Sequence, residues 1–115
     1  MLRLAAVLLL LSAPAFGQSR PYCDGRVVAD GFSVAPGSDR EPAATYMATL
    51  RNTSEQPIQA VVNFRAPQDF SESARDLSVT LQPDQPQQIR LGTARGGDAQ
   101  RITAALPNMT EVACR

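Results

Sequence analysis

Residues 45–65 read TYMATLRNTSEQPIQAVVNFR, and two stretches of strict alternation lie inside them. In the first, Tyr46, Ala48 and Leu50 fall on one face of an extended chain and Thr45, Met47, Thr49 and Arg51 on the other. After the turn-rich link Asn52-Thr53-Ser54-Glu55-Gln56-Pro57, the second sets Ile58, Ala60, Val62 and Phe64 against Gln59, Val61, Asn63 and Arg65. Successive side chains of a strand point to opposite faces, so a period of two with one apolar face marks a half-buried β-strand. A polar link between two such runs predicts that they pair antiparallel.

The pattern continues outward. Leu77, Val79 and Leu81 alternate with Ser78, Thr80 and Gln82, Pro83-Asp84-Gln85-Pro86 turns the chain, and Ile89 and Leu91 alternate with Gln88, Arg90 and Gly92. Arg95-Gly96-Gly97-Asp98 is a further turn, Ile102, Ala104 and Leu106 make a sixth run that Pro107-Asn108 ends, and Val112 with Cys114 marks a short last strand. Upstream, Val28, Phe32 and Val34 give an opening strand whose interruption at Asp30-Gly31 reads as a bulge. Nine Pro and seven Gly punctuate the chain, and no window beyond residue 17 holds helical spacing over three turns. The expectation is all-β: one immunoglobulin-like antiparallel sandwich of about seven strands over 18–115, with Ala35 to Ala44 as its longest loop.

Composition removes several chemistries. The chain has 115 residues and a net charge of zero, with eleven basic residues, all Arg, against eleven acidic ones. Without His there is no imidazole base and no His-containing zinc site. Without Lys there is no Schiff base and no phosphate-gripping lysine. Arginines scattered from Arg3 to Arg115 form no nucleic-acid footprint. Binding, structural or assembly roles remain.

Residues 1–17 read as a signal peptide. Met1-Leu2-Arg3 is a short positive start, and Leu4 to Leu11 is an unbroken apolar run, too short for the ~20 residues of a membrane-spanning helix. Ala15 and Gly17 stand where a signal peptidase reads small residues if the cut precedes Gln18; a cut after Ala15 would use Ala13 instead. No Cys lies just after the cut, so a lipid anchor is not expected and the product is periplasmic or secreted. Export also meets an oxidising compartment, where the two cysteines, Cys23 and Cys114, have one intramolecular pairing open to them. A bridge closing a loop of about 90 residues contributes roughly 4 to 5 kcal/mol in the chain-entropy account, welcome in a domain with a thin core. The first and last strands of such a sandwich can lie side by side, so the bridge is expected to join neighbours.

Leu50-Arg51-Asn52-Thr53-Ser54-Glu55-Gln56-Pro57-Ile58 resembles the corner between the second and third strands of bacterial immunoglobulin-like domains. The stretch from Leu81 through Pro83 and Pro86 to Leu91 is similar to the proline turn and following strand of the same group, which includes the first domain of periplasmic pilus chaperones. The resemblance implies the sandwich and the compartment. The chaperones' basic subunit-anchoring pair is not carried over, because the chain has no Lys.

Other candidate chemistry is sparse. Met47 and Met109 are the soft ligands a copper site would use, although two Met without His make a poor set. Asp24, Asp30, Asp39 and Glu41 could gather on early loops around calcium, but their spacing matches no loop motif. Asp69 and Glu72 form a carboxylate pair on a domain with little room for a cleft. Asn52-Thr53-Ser54 and Asn108-Met109-Thr110 fit the N-glycosylation acceptor. The reading that follows is an exported, non-catalytic binding or assembly module with a protein partner, with no cofactor, no nucleic acid and no stable membrane insertion. The alternative is a small periplasmic copper carrier or enzyme accessory protein.

Overall fold

The computed structural model describes residues 19–40, 42–67, 70–96 and 98–115. The expected signal peptide, 1–17, lies outside the described residues, as do Gln18, Glu41, Gln68, Asp69 and Gly97. Among the described residues the elements run β1 (Arg20–Tyr22), a 3-10 turn (Cys23–Gly25), β2 (Val27–Ala35), β3 (Ala44–Asn52), β4 (Ile58–Phe64), β5 (Phe70–Ser73), β6 (Leu77–Leu81), β7 (Gln87–Ala94), α1 (Ala99–Met109) and β8 (Thr110–Cys114). They form two antiparallel sheets, a five-stranded one ordered β1-β2-β3-β7-β5 and a three-stranded one ordered β6-β4-β8. The all-β sandwich is therefore present.

Burial follows the alternation. Tyr46, Ala48 and Leu50 on β3 and Ile58, Ala60, Val62 and Phe64 on β4 are each at most 4 % exposed. The expected pairing of these two runs is nevertheless overturned, because β3 and β4 belong to different sheets and bring their apolar faces together across the core. Alternation specifies which face is buried; the link specifies whether two buried faces lie side by side or opposed. Here the link is a broad arch closed by Asn52, whose amide donates to the carbonyls of Gln56 at 2.7 Å and Leu81 at 2.9 Å. Its Oδ1 accepts from the Ser54 N–H at 2.8 Å and the Ser54 hydroxyl at 2.7 Å. All four bonding positions of a fully buried amide are thus used, and the bond to Leu81 reaches the opposite sheet.

The sixth run is a second correction. Ile102, Ala104 and Leu106 lie in α1, not in a strand. Asp98 caps the helix, accepting from the N–H groups of Gln100 at 3.1 Å and Arg101 at 3.2 Å. Ala99, Gln100, Arg101, Ala104 and Ala105 are good helix formers. Ile102, Leu106 and Met109, spaced four and three apart, put one apolar stripe against the core. Pro107 lies in the last turn of the helix, where it removes the bond its N–H would have made to the Thr103 carbonyl, and the helix ends two residues beyond it. The Thr110 hydroxyl then satisfies the Leu106 carbonyl at 2.8 Å.

The opening strand is β2, and its register does slip between Ala29 and Gly31, at the expected bulge. Phe32 and Val34 pack on the core as expected, but ahead of the slip the buried residues are Val27 and Ala29, and Val28 lies on the other face, because the extra residue shifts the alternation. β1 and β5 are additional short strands that carry no alternation of their own. The cysteines are bonded, with Cα atoms 6.0 Å apart. The bridge does not join sheet neighbours, however, since β1 pairs with β2 in one sheet and β8 with β4 in the other. It is a staple across the sandwich.

Candidate functional site

A two-sheet sandwich has two flanks along which its edge strands meet solvent, and those of this domain differ. One flank is closed. The β8–β4 ladder, bounded by the Arg65 N–H bond to the Met109 carbonyl and the Arg115 N–H bond to the Gln59 carbonyl, uses the backbone groups of Glu111 and Ala113 and turns those of Val112 and Cys114 outward. That outward edge is occupied: Cys114 is bonded to Cys23, and the 3-10 turn packs beside β8. Farther along, α1 packs on β2 with Leu106 fully buried, and Arg20 donates to the Asn108 side chain at 3.1 Å. The remaining edge strand there, β1, has only three residues and includes Pro21, which has no N–H to offer.

The other flank is open. β5 has four residues, with a register slip between Phe70 and Glu72, and pairs only with the Gly92–Ala94 end of β7. It is anchored by Phe70, whose ring lies 5.4 Å from that of Tyr46 and 5.2 Å from that of Phe64. Gly92 permits this approach, since a Cβ there would stand 2.5 Å from the Glu72 carbonyl oxygen and 2.9 Å from the Phe70 ring. Ala74 then crosses between the sheets, donating to the Leu91 carbonyl at 2.8 Å and accepting from the Phe64 N–H at 2.9 Å. Beyond that crossing, the outer edge of β7 from Gln87 to Arg90 pairs with no strand among the described residues.

β6 faces the same flank with its own free edge. β4 uses its odd-numbered residues toward β8 and hence its even-numbered ones toward β6, so β6 turns the backbone groups of Ser78 and Thr80 to solvent. Beside the Ala74 crossing, where the two free edges end at Arg90 and Leu77, lies a cleft of about 260 Å3 lined by Ser73, Ala74, Leu77, Leu91 and Gly92, together with the charged side chains Glu72 and Arg90. Leu77 is 37 % exposed although its alternation partners Val79 and Leu81 turn inward. Glu72 and Arg90 are ion-paired at 2.7 Å and also line a second cleft of about 410 Å3, on the outer face of the five-stranded sheet, where Arg40, Arg95, Ser71 and Thr93 join them.

The residues singled out from sequence fall apart by position, Cys23 and Cys114 excepted. Met47 alternates with buried Tyr46 and Ala48 and so lies on the outer face of its sheet, whereas Met109 packs on the core; the sheet separates them. Asp24 sits in a left-handed turn, Asp39 is exposed in the β2–β3 loop, and Asp30 is ion-paired to Arg51 at 2.9 Å. That bond and the charge of Asp30 hold the Arg51 guanidinium above its ordinary pKa. Glu41 and Asp69 lie outside the described residues. Among the described residues no group of three or more His, Cys, Asp or Glu could hold a metal ion, and no helix is long and apolar enough to cross a membrane. Asn52 spends its amide in the arch, while Asn108 is exposed at the end of α1.

Two phenols, Tyr22 and Tyr46, are buried with no hydrogen-bond partner for the hydroxyl among the described residues. Burial raises the pKa of both, with Asp98 adding to the rise at Tyr46 and Arg20 opposing it at Tyr22. Sequence reasoning missed the open flank because it rests on where β5 stops, which no run of apolar residues announces. The one available signal was the glycine in the β7 run, the mark of a close backbone approach. No protein family, no curated protein and no solved structure matches the chain.

Proposed function

We propose that this chain is an exported, non-catalytic binding module that takes an extended segment of a partner protein by strand addition along its open flank. The observation that carries the reading is the free edge of β7 from Gln87 to Arg90, ending at a cleft lined by Leu77, Ala74 and Leu91. A sheet edge offers main-chain bonds to any extended chain, and an adjacent apolar pocket selects its alternate side chains. Four residues of free edge accommodate roughly 13 Å of partner strand, enough to set two side chains toward the cleft. Export accounts for the disulfide, since such bonds persist in oxidising compartments. On this reading the likeness of residues 50–58 and 81–91 to immunoglobulin-like domains is one of architecture and compartment.

Selection from a displayed library of extended peptides, followed by amide hydrogen exchange on each complex, tests the assignment. Bound peptides are expected to protect amides within Gln87–Arg90, or those of Ser78 and Thr80, and Leu77→Asp is expected to lose them. Peptides that instead protect Val112, or that bind Leu77→Asp as well as the parent, would overturn it.

A further inference from the structure

We infer that the segment received on the open flank is acidic beside its apolar anchor. The inference rests on the strand-addition reading and adds the chemistry of the partner. Its basis is the juxtaposition of two clefts that share one ion pair. Glu72 and Arg90 line the apolar cleft at the sheet edge and also the cleft on the outer face. A chain leaving the first at that ion pair enters the second directly.

The second cleft is basic in a chain whose net charge is zero. Arg40, Arg90 and Arg95 line it against the single described carboxylate of Glu72. Arg90 is held by Glu72, but Arg40 and Arg95 pair with no carboxylate among the described residues. They approach from separate elements, Arg40 from the β2–β3 loop and Arg95 from the end of β7. The Ser71 and Thr93 hydroxyls, 3.0 Å apart, line the same cleft, with Thr93 only 7 % exposed although it sits on an outer sheet face. Two guanidiniums beside this hydroxyl pair suit carboxylates, because each guanidinium presents a planar fork of donors and the pair, one of whose protons is used between its own oxygens, can add one more. Arg90 and Arg95 are five positions apart on and just beyond β7, roughly 16 Å along an extended chain. The partner's carboxylates therefore belong about three to five residues from its apolar anchor.

The test uses three synthetic peptides with one alternating Val–Thr core, extended at one end by a run of Asp, of Ser or of Lys. Binding is measured by titration calorimetry at low and at physiological ionic strength. The Asp peptide is expected to bind about tenfold more tightly than the Ser peptide at low salt, the difference shrinking as salt screens exposed charge. The Lys peptide is expected to be weakest. In the Arg40→Glu/Arg95→Glu variant the order of the Asp and Lys peptides should reverse while the Ser peptide is unchanged; Arg40→Gln/Arg95→Gln should level all three. Equal affinity for the Asp and Ser peptides, with the Ser peptide still lost in Leu77→Asp, would overturn the acidic partner and leave strand addition standing. Binding of the Asp peptide that survives Leu77→Asp would mean an anion site unconnected to the edge, and failure of all three to bind would remove both readings.

Discussion

The two flanks of this sandwich solve the edge-strand problem by different means. The closed flank uses covalent and packed material: a disulfide across the sheets, a capped helix over β2 and a first strand of three residues containing a proline. The open flank uses only shortness and a bulge, a four-residue β5 held by one aromatic contact set and followed by free edge. Unpaired edges invite other chains, so an edge left open beside an apolar cleft is a place where association is tolerated. On the proposed function, stability and recognition lie on opposite sides of one small core. The comparison fails if perturbing the closed flank proves cheap, or if perturbing the open one proves costly.

The largest effect should come from the staple. Replacing Cys23 and Cys114 by Ser releases a loop spanning a sequence separation of 91. The unfolded ensemble then gains freedom equivalent to about 4 kcal/mol, which urea titration would read as a lowered midpoint at nearly constant slope. Reduction of the parent protein should reproduce it. A midpoint within error of the parent would show that α1 alone holds the closed flank. Next comes Leu106→Ala beneath the helix. Leu106 is fully buried, so its truncation leaves a cavity and should cost about 3 kcal/mol in the same assay. A loss below about 1 kcal/mol would mean that the helix is an ornament on β2 instead of part of the core.

How far these features could be read in the sequence depends on the kind of information each carries. The buried faces of β3 and β4 were legible, because alternation is a local consequence of the pleat: Tyr46, Ala48 and Leu50 face in for the same reason that Thr45 and Arg51 do not. In β2 the bulge shifts the phase, so Val27 and Ala29 are buried ahead of it and Val28 is not. Sheet membership was not, because the arch at Asn52 rests on bonds to Gln56 and to Leu81, residues 4 and 29 positions away. α1 was misread because Ile102, Ala104 and Leu106 satisfy period two, while the helical alternative through Ile102, Leu106 and Met109 crosses Pro107, ordinarily a breaker. The cysteine pairing needed only a count of two; its route across the sheets needed the topology. The open flank was least legible of all, being defined by where β5 ends and by the lack, among the described residues, of a strand on the outer edge of Gln87–Arg90.

Tyr46 lies where the flanks meet, its ring on Phe70 of the open side and its phenol within the field of Asp98, the cap of α1. Burial first, and then the Asp98 charge, raise its pKa above the ordinary value of 10.0. A raised folded-state pKa means that the unfolded chain releases the proton first as pH climbs. The stability present below about pH 10 is therefore lost progressively above it, as pH rises toward the folded-state value. Tyr46→Phe should abolish most of that alkaline loss and, by removing a buried hydroxyl without a described partner, add about 1 kcal/mol at neutral pH. Denaturant midpoints at neutral pH and above pH 10 check both signs. An unchanged alkaline slope would shift the cause to Tyr22, the other buried phenol with a raised pKa.

The smallest expected effect on stability is also the sharpest discriminator between the flanks. Leu77→Ser removes an apolar side chain from the open cleft, but that side chain is already 37 % exposed and stands at the first position of β6. The next residues inward on the same face, Val79 and Leu81, remain to hold the strand on β4. The substitution should cost less than about 0.5 kcal/mol, several times less than Leu106→Ala, although both remove most of a leucine. Amide exchange gives the same contrast without any substitution. Ser78 and Thr80, with backbone groups turned to solvent, should exchange early, while Val61 and Asn63, bonded within the β4–β8 ladder, should exchange only with global unfolding. If Leu77→Ser instead destabilises the domain as much as Leu106→Ala, or if Ser78 is as protected as Val61, then the flank is closed in solution. The free edge would then belong to the folding core and not to a partner.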